Sequence, residues 1–520
     1  MAPIETLLLV LVAIVVLATI ARRFGVPDPI LLVLGGISIG LIPDLPPVEL
    51  EPDFIFLVFL PPILYSAGYF SSIRDLRANL RPILLLAVGL VLFTMLVVAT
   101  VVSALVPGMS WPVALALGAI VSPPDAVAAT SVFRRLGVPR RIVTILEGES
   151  LVNDATALVA YRTAVGVAGG AAALSAAGLG VEFVFVAVGG FVVGLVFAML
   201  GRVIWRLVDD PPIEITLTII YPLVTYVLAE RLGVSGVIAT VVAGIYAGRN
   251  AARVLSSSTR VQGKAAWGLL LFLINGFVFL LIGLQLPIIL GELGAERSAT
   301  ELVGLGIAVS LAAIAARILW VFPATYLPRW LSAKLRERDP YPAPRNVFVV
   351  SWAGMRGVVS LAAALALPSD FPQRALLIFL TFCVIFATLV VQGLTLPLLI
   401  RRLGVMADAS EQEEEAHART AAVEAALARL LDLEQEYADH LPLIEQLRTQ
   451  YEHRSEHVTG DALESDEGLR DLVEHRAIRR AMIDAERDAV IGLRDVGAIS
   501  DDVLRRVERD LDLEELRMEA

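Results

Sequence analysis

The chain has 520 residues, of which 57% are apolar and only 18% charged, and its net charge is −11. Soluble proteins carry roughly a quarter charged residues, so the composition argues against a soluble enzyme and for a polytopic membrane protein. The charge is unevenly divided, with residues 1–407 summing to +6 and residues 408–520 to −17, which reads as a membrane domain over 1–402 followed by an acidic, soluble tail over 408–520.

No base precedes the first apolar run, Ile4–Ile20, and no small-residue cleavage site follows it. It therefore reads as a first transmembrane helix rather than a cleaved signal. A crossing of the ~30 Å hydrocarbon core takes about 20 apolar residues. On that criterion thirteen segments are predicted, near 4–21, 29–43, 53–71, 82–106, 111–133, 142–166, 181–208, 213–230, 234–249, 266–290, 301–327, 346–367 and 375–400, the second and ninth being short. The loops after odd-numbered segments carry the bases: Arg22 and Arg23, then Arg74, Arg77 and Arg81, then Arg134, Arg135, Arg140 and Arg141, and so on to Arg401 and Arg402. The even-numbered loops are nearly bare of them, and the first contains Asp44, Glu49, Glu51 and Asp53. The positive-inside rule then places the odd loops and the tail in the cytoplasm and the N-terminus outside. Adding or dropping one segment would destroy this alternation.

Ionisable groups in lipid cost roughly 2.5–3.5 kcal/mol each on the insertion scale, so they face cavities or one another. Segment 5 reads Val121-Ser122-Pro123-Pro124-Asp125. Its two prolines remove two backbone donors and break the helix, which is tolerable only beside protein or a water-filled cavity. Segment 6 carries Glu147, Glu149, Ser150, Asn153 and Asp154. Asp154 lies near the midplane, about 18 Å from the cytoplasmic start at 1.5 Å per residue. Ser150 sits one turn away on the same face, so both oxygens can meet one ion. Glu149 and Asn153 form a similar pair on the neighbouring face, and Glu147 lies two turns nearer the cytoplasm. A plain helix–helix clamp needs fewer polar groups than this. Arg162 and Glu230 lie near segment ends, where snorkelling accounts for them. Arg317 is in segment 11, and segment 12 is interrupted at Gly354-Met355-Arg356-Gly357. Segments 1–6 and 8–13 read as two inverted halves with their broken helices in equivalent places, the sequence mark of a midplane transport site.

Cys383 is the only cysteine, so no disulfide within the chain and no cysteine metal site can form. The tail spaces Val423, Ala426, Leu427, Leu430 and Leu431 as in amphipathic helices, with turns expected near Gly460 and Gly497. All five histidines, His417, His440, His453, His457 and His475, lie there and read as exposed helix residues, although His453 and His457 share a helix face. No phosphate loop occurs, so neither nucleotide nor nucleic acid is an expected partner.

Four motifs in order resemble the sodium/proton exchanger family, in the NhaP/NHE-type branch of the monovalent cation:proton antiporter superfamily. They are Phe59-Leu60-Pro61-Pro62-Ile63-Leu64-Tyr65-Ser66-Ala67-Gly68, Asp125 with its flanks, Glu149-Ser150-Leu151-Val152-Asn153-Asp154 and Gly354-Met355-Arg356-Gly357. The resemblance spans 1–402. It implies an all-α polytopic protein with inverted repeats and two broken crossing helices, assembled as a homodimer in which a six-helix core slides against a dimerisation domain. It implies that Asp154 carries the ion and the proton, that Asp125 and Ser150 complete a Na+ shell, and that Asn153 supports it. Glu149 would pair with an intramembrane arginine, Arg317 or Arg356. Three positions depart from the family pattern. Ala126 follows Asp125 where the family usually has a proline. Pro124 stands where a Thr or small residue is common, which removes a hydroxyl ligand, and Ser66 replaces an acidic residue.

A carboxylate that binds either a proton or a cation exchanges one for the other if the empty, ionised site is too costly to cross the barrier. The expectation is an antiporter of Na+ (or Li+ or K+) for H+ in the plasma membrane, electroneutral at one for one. It has no cofactor, and the tail regulates it. A K+/H+ antiporter of the same fold is the alternative within the class. A cation channel, which would need a continuous pore, and an intramembrane aspartyl protease, whose Gly-x-Gly-Asp motif is absent, are the readings from other classes.

Overall fold

The computed structural model describes residues 3–42, 55–170, 176–208, 210–293, 297–405, 410–436, 441–458, 480–493, 507, 510–511 and 513–515. Among them there is no strand. The acidic first even loop, Gly460, Gly497, His440 and His475 lie outside the described residues, as do the side chains of His453 and His457.

Each predicted segment coincides with a helix or a broken pair. They are α1 (Pro3–Phe24), α2 (Asp28–Gly40), α3 (Phe56–Phe70), α4 (Leu80–Leu105), α5a (Trp111–Val121) and α5b (Ala126–Leu136), α6 (Arg140–Ala168), α7 (Ala176–Trp205), α8 (Pro211–Arg231), α9 (Gly236–Val254), α10 (Ser257–Leu293), α11 (Ala299–Leu331), α12a (Pro344–Trp352) and α12b (Val358–Leu365), and α13 (Arg374–Leu403). Eight spans, on α1, α4, α5, α7, α8, α10, α11 and α13, are long and apolar enough to cross a membrane by length and composition. α2, α3, α6, α9 and α12 fall short of that criterion, α6 because of its polar and charged groups and α12 because it is broken. Turns of π-helix interrupt the regular winding at Ile55–Phe59, Leu85–Leu90 and Thr388–Gln392. The chain divides into two compact units, Met1–Ala407 and Asp408–Ala520. In the second, α14 (Ser410–Glu436) packs on α15 (Leu441–Val458), with Val423, Leu430 and Ile444 buried.

In lipid, helices gain little from burying apolar surface against each other, and close backbone approach replaces it. α2 and α10 meet at Gly36 and Gly283, where a Cβ on either would overlap a carbonyl oxygen of the other helix (Leu280 or Val33). α9 meets α3 in the same way, with Gly244 and Gly248 against the Tyr65 and Tyr69 carbonyls. Helix contacts gather α1, α2, α3, α7, α8, α9 and α10 into one group and α4, α5, α6, α11, α12 and α13 into another, and a largely apolar core with Leu32, Val33 and Phe279 beside Leu117 and Leu380 is shared by both. The outer faces of α1 and α7 expose Leu8, Val12, Val15, Val184, Phe185, Val188 and Val196. So large an apolar surface is a lipid or protein interface.

Charged pairs fasten the helix ends. Arg162 Nη2 at the end of α6 donates to Glu230 Oε2 of α8 at 2.8 Å, and Glu230 Oε1 accepts the Gly236 N–H at 3.0 Å. The two residues expected to snorkel separately thus hold one another. At the opposite face Asp339, in the loop before α12a, accepts from Arg81 of α4, Arg141 of α6 and Arg329 of α11, each at 2.8 Å. Burial works to raise the Asp339 carboxyl, but the hydrogen bond and charge of Arg141, with Arg329 and Arg81, outweigh it and hold it below its ordinary range.

Candidate functional site: two crossing breaks beside a carboxylate

The site is assembled where two helices stop in the middle of the molecule. Residues 122–125 leave the helix between α5a and α5b, and residues 353–357 do so between α12a and α12b. The two irregular segments cross, and the Asp125 N–H donates to the Met355 carbonyl at 2.7 Å. A backbone donor freed by one break is therefore satisfied by an acceptor freed by the other, as an interrupted membrane helix requires. Asp125 caps α5b, its Oδ1 accepting the Val127 N–H at 2.8 Å, so a carboxylate sits at the positive end of a half-helix.

The two buried arginines serve the opposite, negative ends. Arg356 Nε donates to Val121 O of α5a at 2.9 Å, and its Nη1 bonds the Gly354 carbonyl. Arg317 Nε donates to Val350 O of α12a at 3.2 Å. The Nη1 and Nη2 atoms of Arg317 reach Glu149 Oε1 and Oε2 at 2.6 and 2.8 Å. Arg317 and Glu149 are both fully buried, at 0% exposure. This two-pronged pair answers which arginine holds Glu149: it is Arg317, whereas Arg356 binds the ends of the broken helices.

Asn153 lies on the next turn of α6. Its Nδ2 donates to Pro124 O at 2.8 Å, so it braces the break rather than facing open space. Asp154 is 6% exposed and lines a cavity of about 520 Å³ together with Asp125, Ser150 and Glu147. The structure thus brings Asp154, Asp125 and Ser150 to one cavity and places Asn153 and Glu149 behind it. Lys264, Asn275 and Ser360 also line the cavity and are missing from the sequence-based set. Asn275 carries a readable signal, being an amide within the apolar run Leu269–Phe279. Ser360 sits in the small-residue stretch of α12b and carries none. No cluster of three or more His, Cys, Asp or Glu that could hold a resident metal occurs among the described residues.

Gly357 is fixed by the crossing. A Cβ there would overlap Asp125 Oδ2. Gly357→Ala must therefore displace the Asp125 carboxylate. A displacement of about 1 Å in a positioned reacting group costs on the order of 100-fold in rate, and a loss of that size in ion flux is expected in vesicles at matched protein content. Flux equal to wild type would show that Asp125 need not be held where it is.

Comparison with known proteins gives consistent results. A profile of the family described as "Sodium/hydrogen exchanger, transmembrane" matches residues 9–402. The chain is 38% identical over 523 residues to an uncharacterised Na+/H+ exchanger of Mycobacterium tuberculosis, covering 98% of this chain and 95% of that one. It is 32% identical over 409 residues to a sodium, potassium, lithium and rubidium/H+ antiporter of Bacillus subtilis, covering 75% of this chain and 60% of that one. Its fold is similar to that of the sodium proton antiporter MjNhaP1 from Methanocaldococcus jannaschii at pH 8, with a TM-score of 0.62 and 22% identity over 77% of this chain and 98% of that one.

Proposed function

The chain belongs to the sodium/hydrogen exchanger family, whose members are multi-pass cation/proton antiporters and not enzymes, and from that premise we propose that it exchanges Na+, with Li+ and K+ as further substrates, for H+ at Asp154. The observation that carries this reading is the Asp154 carboxylate facing a cavity with Asp125, Ser150 and Glu147, next to a further carboxylate, Glu149, that is already neutralised by Arg317. Only oxygen ligands are on offer, which suits hard alkali cations. The Bacillus subtilis relative, a sodium, potassium, lithium and rubidium/H+ antiporter, supports a selectivity that includes K+.

A proton and a cation compete for the same Asp154 oxygens. Crossing the barrier with the site empty would carry a bare carboxylate through a medium that does not solvate it, so the loaded forms cross and exchange follows. Glu149 stays paired with Arg317 in both, so the cargo alternates between one proton and one monovalent cation. One-for-one, electroneutral exchange is the expected result. In voltage-clamped proteoliposomes a Na+ gradient drives proton movement without net current. A current reversing away from zero voltage would overturn the stoichiometry.

The membrane part, 1–402, performs transport in the plasma membrane, with the N-terminus outside and the tail inside, as the loop charges indicate. Two copies pair through the apolar faces of one helix group, while α4, α5, α6, α11, α12 and α13 move as the core. The tail, 408–520, holds every histidine of the chain and modulates the exchanger.

A further inference from the structure

A second cavity, of about 690 Å³, opens between the α1–α2 turn, α5b, α10 and α13. Three guanidiniums line it, Arg22, Arg135 and Arg401, against one carboxylate, Asp28. Arg22 is only loosely paired with Asp28, at 3.6 Å, and lies over the Phe272 ring at 5.3 Å. Arg135 and Arg401 have no ion-pair partner among the described residues. The cavity therefore holds an excess of two positive charges. One and two turns before Arg401 on α13, Leu398 and Leu394 line the same space and are 58% and 44% exposed. The site is thus cationic at its helix-end rim and apolar along its wall.

We propose that this cavity binds an anionic phospholipid, its phosphate held by Arg22, Arg135 and Arg401 and its acyl chains lying along Leu394 and Leu398. Two observations favour a lipid over a soluble phosphate compound. All three arginines stand at segment ends on the base-rich face, which the loop charges assign to the inner leaflet, where anionic headgroups concentrate. The exposed leucine wall has no use for a free phosphate but continues naturally into acyl chains. The site also adjoins the transport cavity, because Val127, Ser131, Asn275 and Phe279 line both. A headgroup there touches α10 of one helix group and α5b, the half-helix capped by Asp125, of the other. The lipid consequently sets how easily the two groups shift. The assignment rests on the membrane reading and not on which cation is carried.

The test is lipid retention by the full chain, measured by native mass spectrometry after purification with equal phosphatidylglycerol and phosphatidylcholine. Wild type is expected to retain phosphatidylglycerol over phosphatidylcholine by roughly tenfold or more. The triple variant Arg22→Gln, Arg135→Gln, Arg401→Gln is expected to lose that preference. A charge-matched control, Lys334→Gln, Arg336→Gln, Arg338→Gln, alters exposed residues of the short helix Ala333–Arg338 and is expected to keep it. If the triple variant does not insert, Arg135→Gln and Arg401→Gln singly decide the matter, each lowering retention several-fold. An unchanged preference in the variants, or none in wild type, overturns the proposal. Displacement of the lipid by millimolar inorganic phosphate reassigns the site to a soluble anion and equally overturns it.

Discussion

Asp154→Asn is expected to abolish cation-driven proton movement in proteoliposomes, for Na+, Li+ and K+ alike, leaving the signal of protein-free vesicles. The substitution keeps the size of the side chain and removes its ionisation. An amide can neither release a proton nor offer a charged oxygen to a cation, so both cargoes lose their carrier together. The surroundings are not expected to collapse. Asp154 has no ion-pair partner among the described residues, and Asn153, Glu149 and Arg317 keep their own bonds. A pH-sensitive dye inside the vesicles reads the result, with each cation added in turn to both proteins. Equal signals from wild type and variant would mean that the exchanged proton resides elsewhere, and Asp125, in the same cavity, would be the next group to alter. A variant that still moved cations but no longer protons would point to a channel.

Arg317→Met is expected to destabilise the protein severely, and a second substitution, Glu149→Leu, to recover much of the loss. Removing one partner of a buried ion pair leaves an uncompensated charge and costs about 3–5 kcal/mol, whereas replacing both with apolar groups of similar volume is often neutral. Here both partners are fully buried and joined by two short bonds of 2.6 and 2.8 Å, which places the single variant at the upper end of that range. Recovery in the double variant is incomplete, because Arg317 Nε also holds Val350 O at the end of α12a and methionine does not. Thermal unfolding in detergent, followed by size exclusion, ranks the three proteins. If Arg317→Met unfolded at the temperature of wild type, the pair would carry no structural weight. The double variant, where it folds, should still exchange without current, since the pair it lacks is neutral.

Much of this architecture is legible in the chain because lipid is a demanding solvent. It fixes the length and composition of each crossing, and the alternation of bases independently supports the odd count of thirteen segments read from apolar length. The double proline before Asp125 and the Gly354–Gly357 stretch announce the two breaks for a local reason, the loss of backbone donors or of helix propensity. The partner of Glu149 is not legible. Arg317 and Arg356 are both buried arginines within reach of the same region, and the choice depends on how α11 and α12 are rotated about their axes, which periodicity does not encode. Lys264 is hidden for a different reason. It reads as one of the loop bases of the positive-inside pattern, and only the packing of α10 turns it into the cavity. The π-turns within α4 and α13 likewise have no signature in a run of residues that are apolar on every side.

The Asp339 carboxylate binds guanidiniums from α4, α6 and α11 and belongs to the loop that feeds α12a. Mechanically it is a shared rivet. Three rods pinned at one point lose the freedom to slip lengthwise past each other, and a load applied to any of them is distributed to all. If α6 moves as the proposed exchange requires, α4 and α11 are expected to move with it at that end.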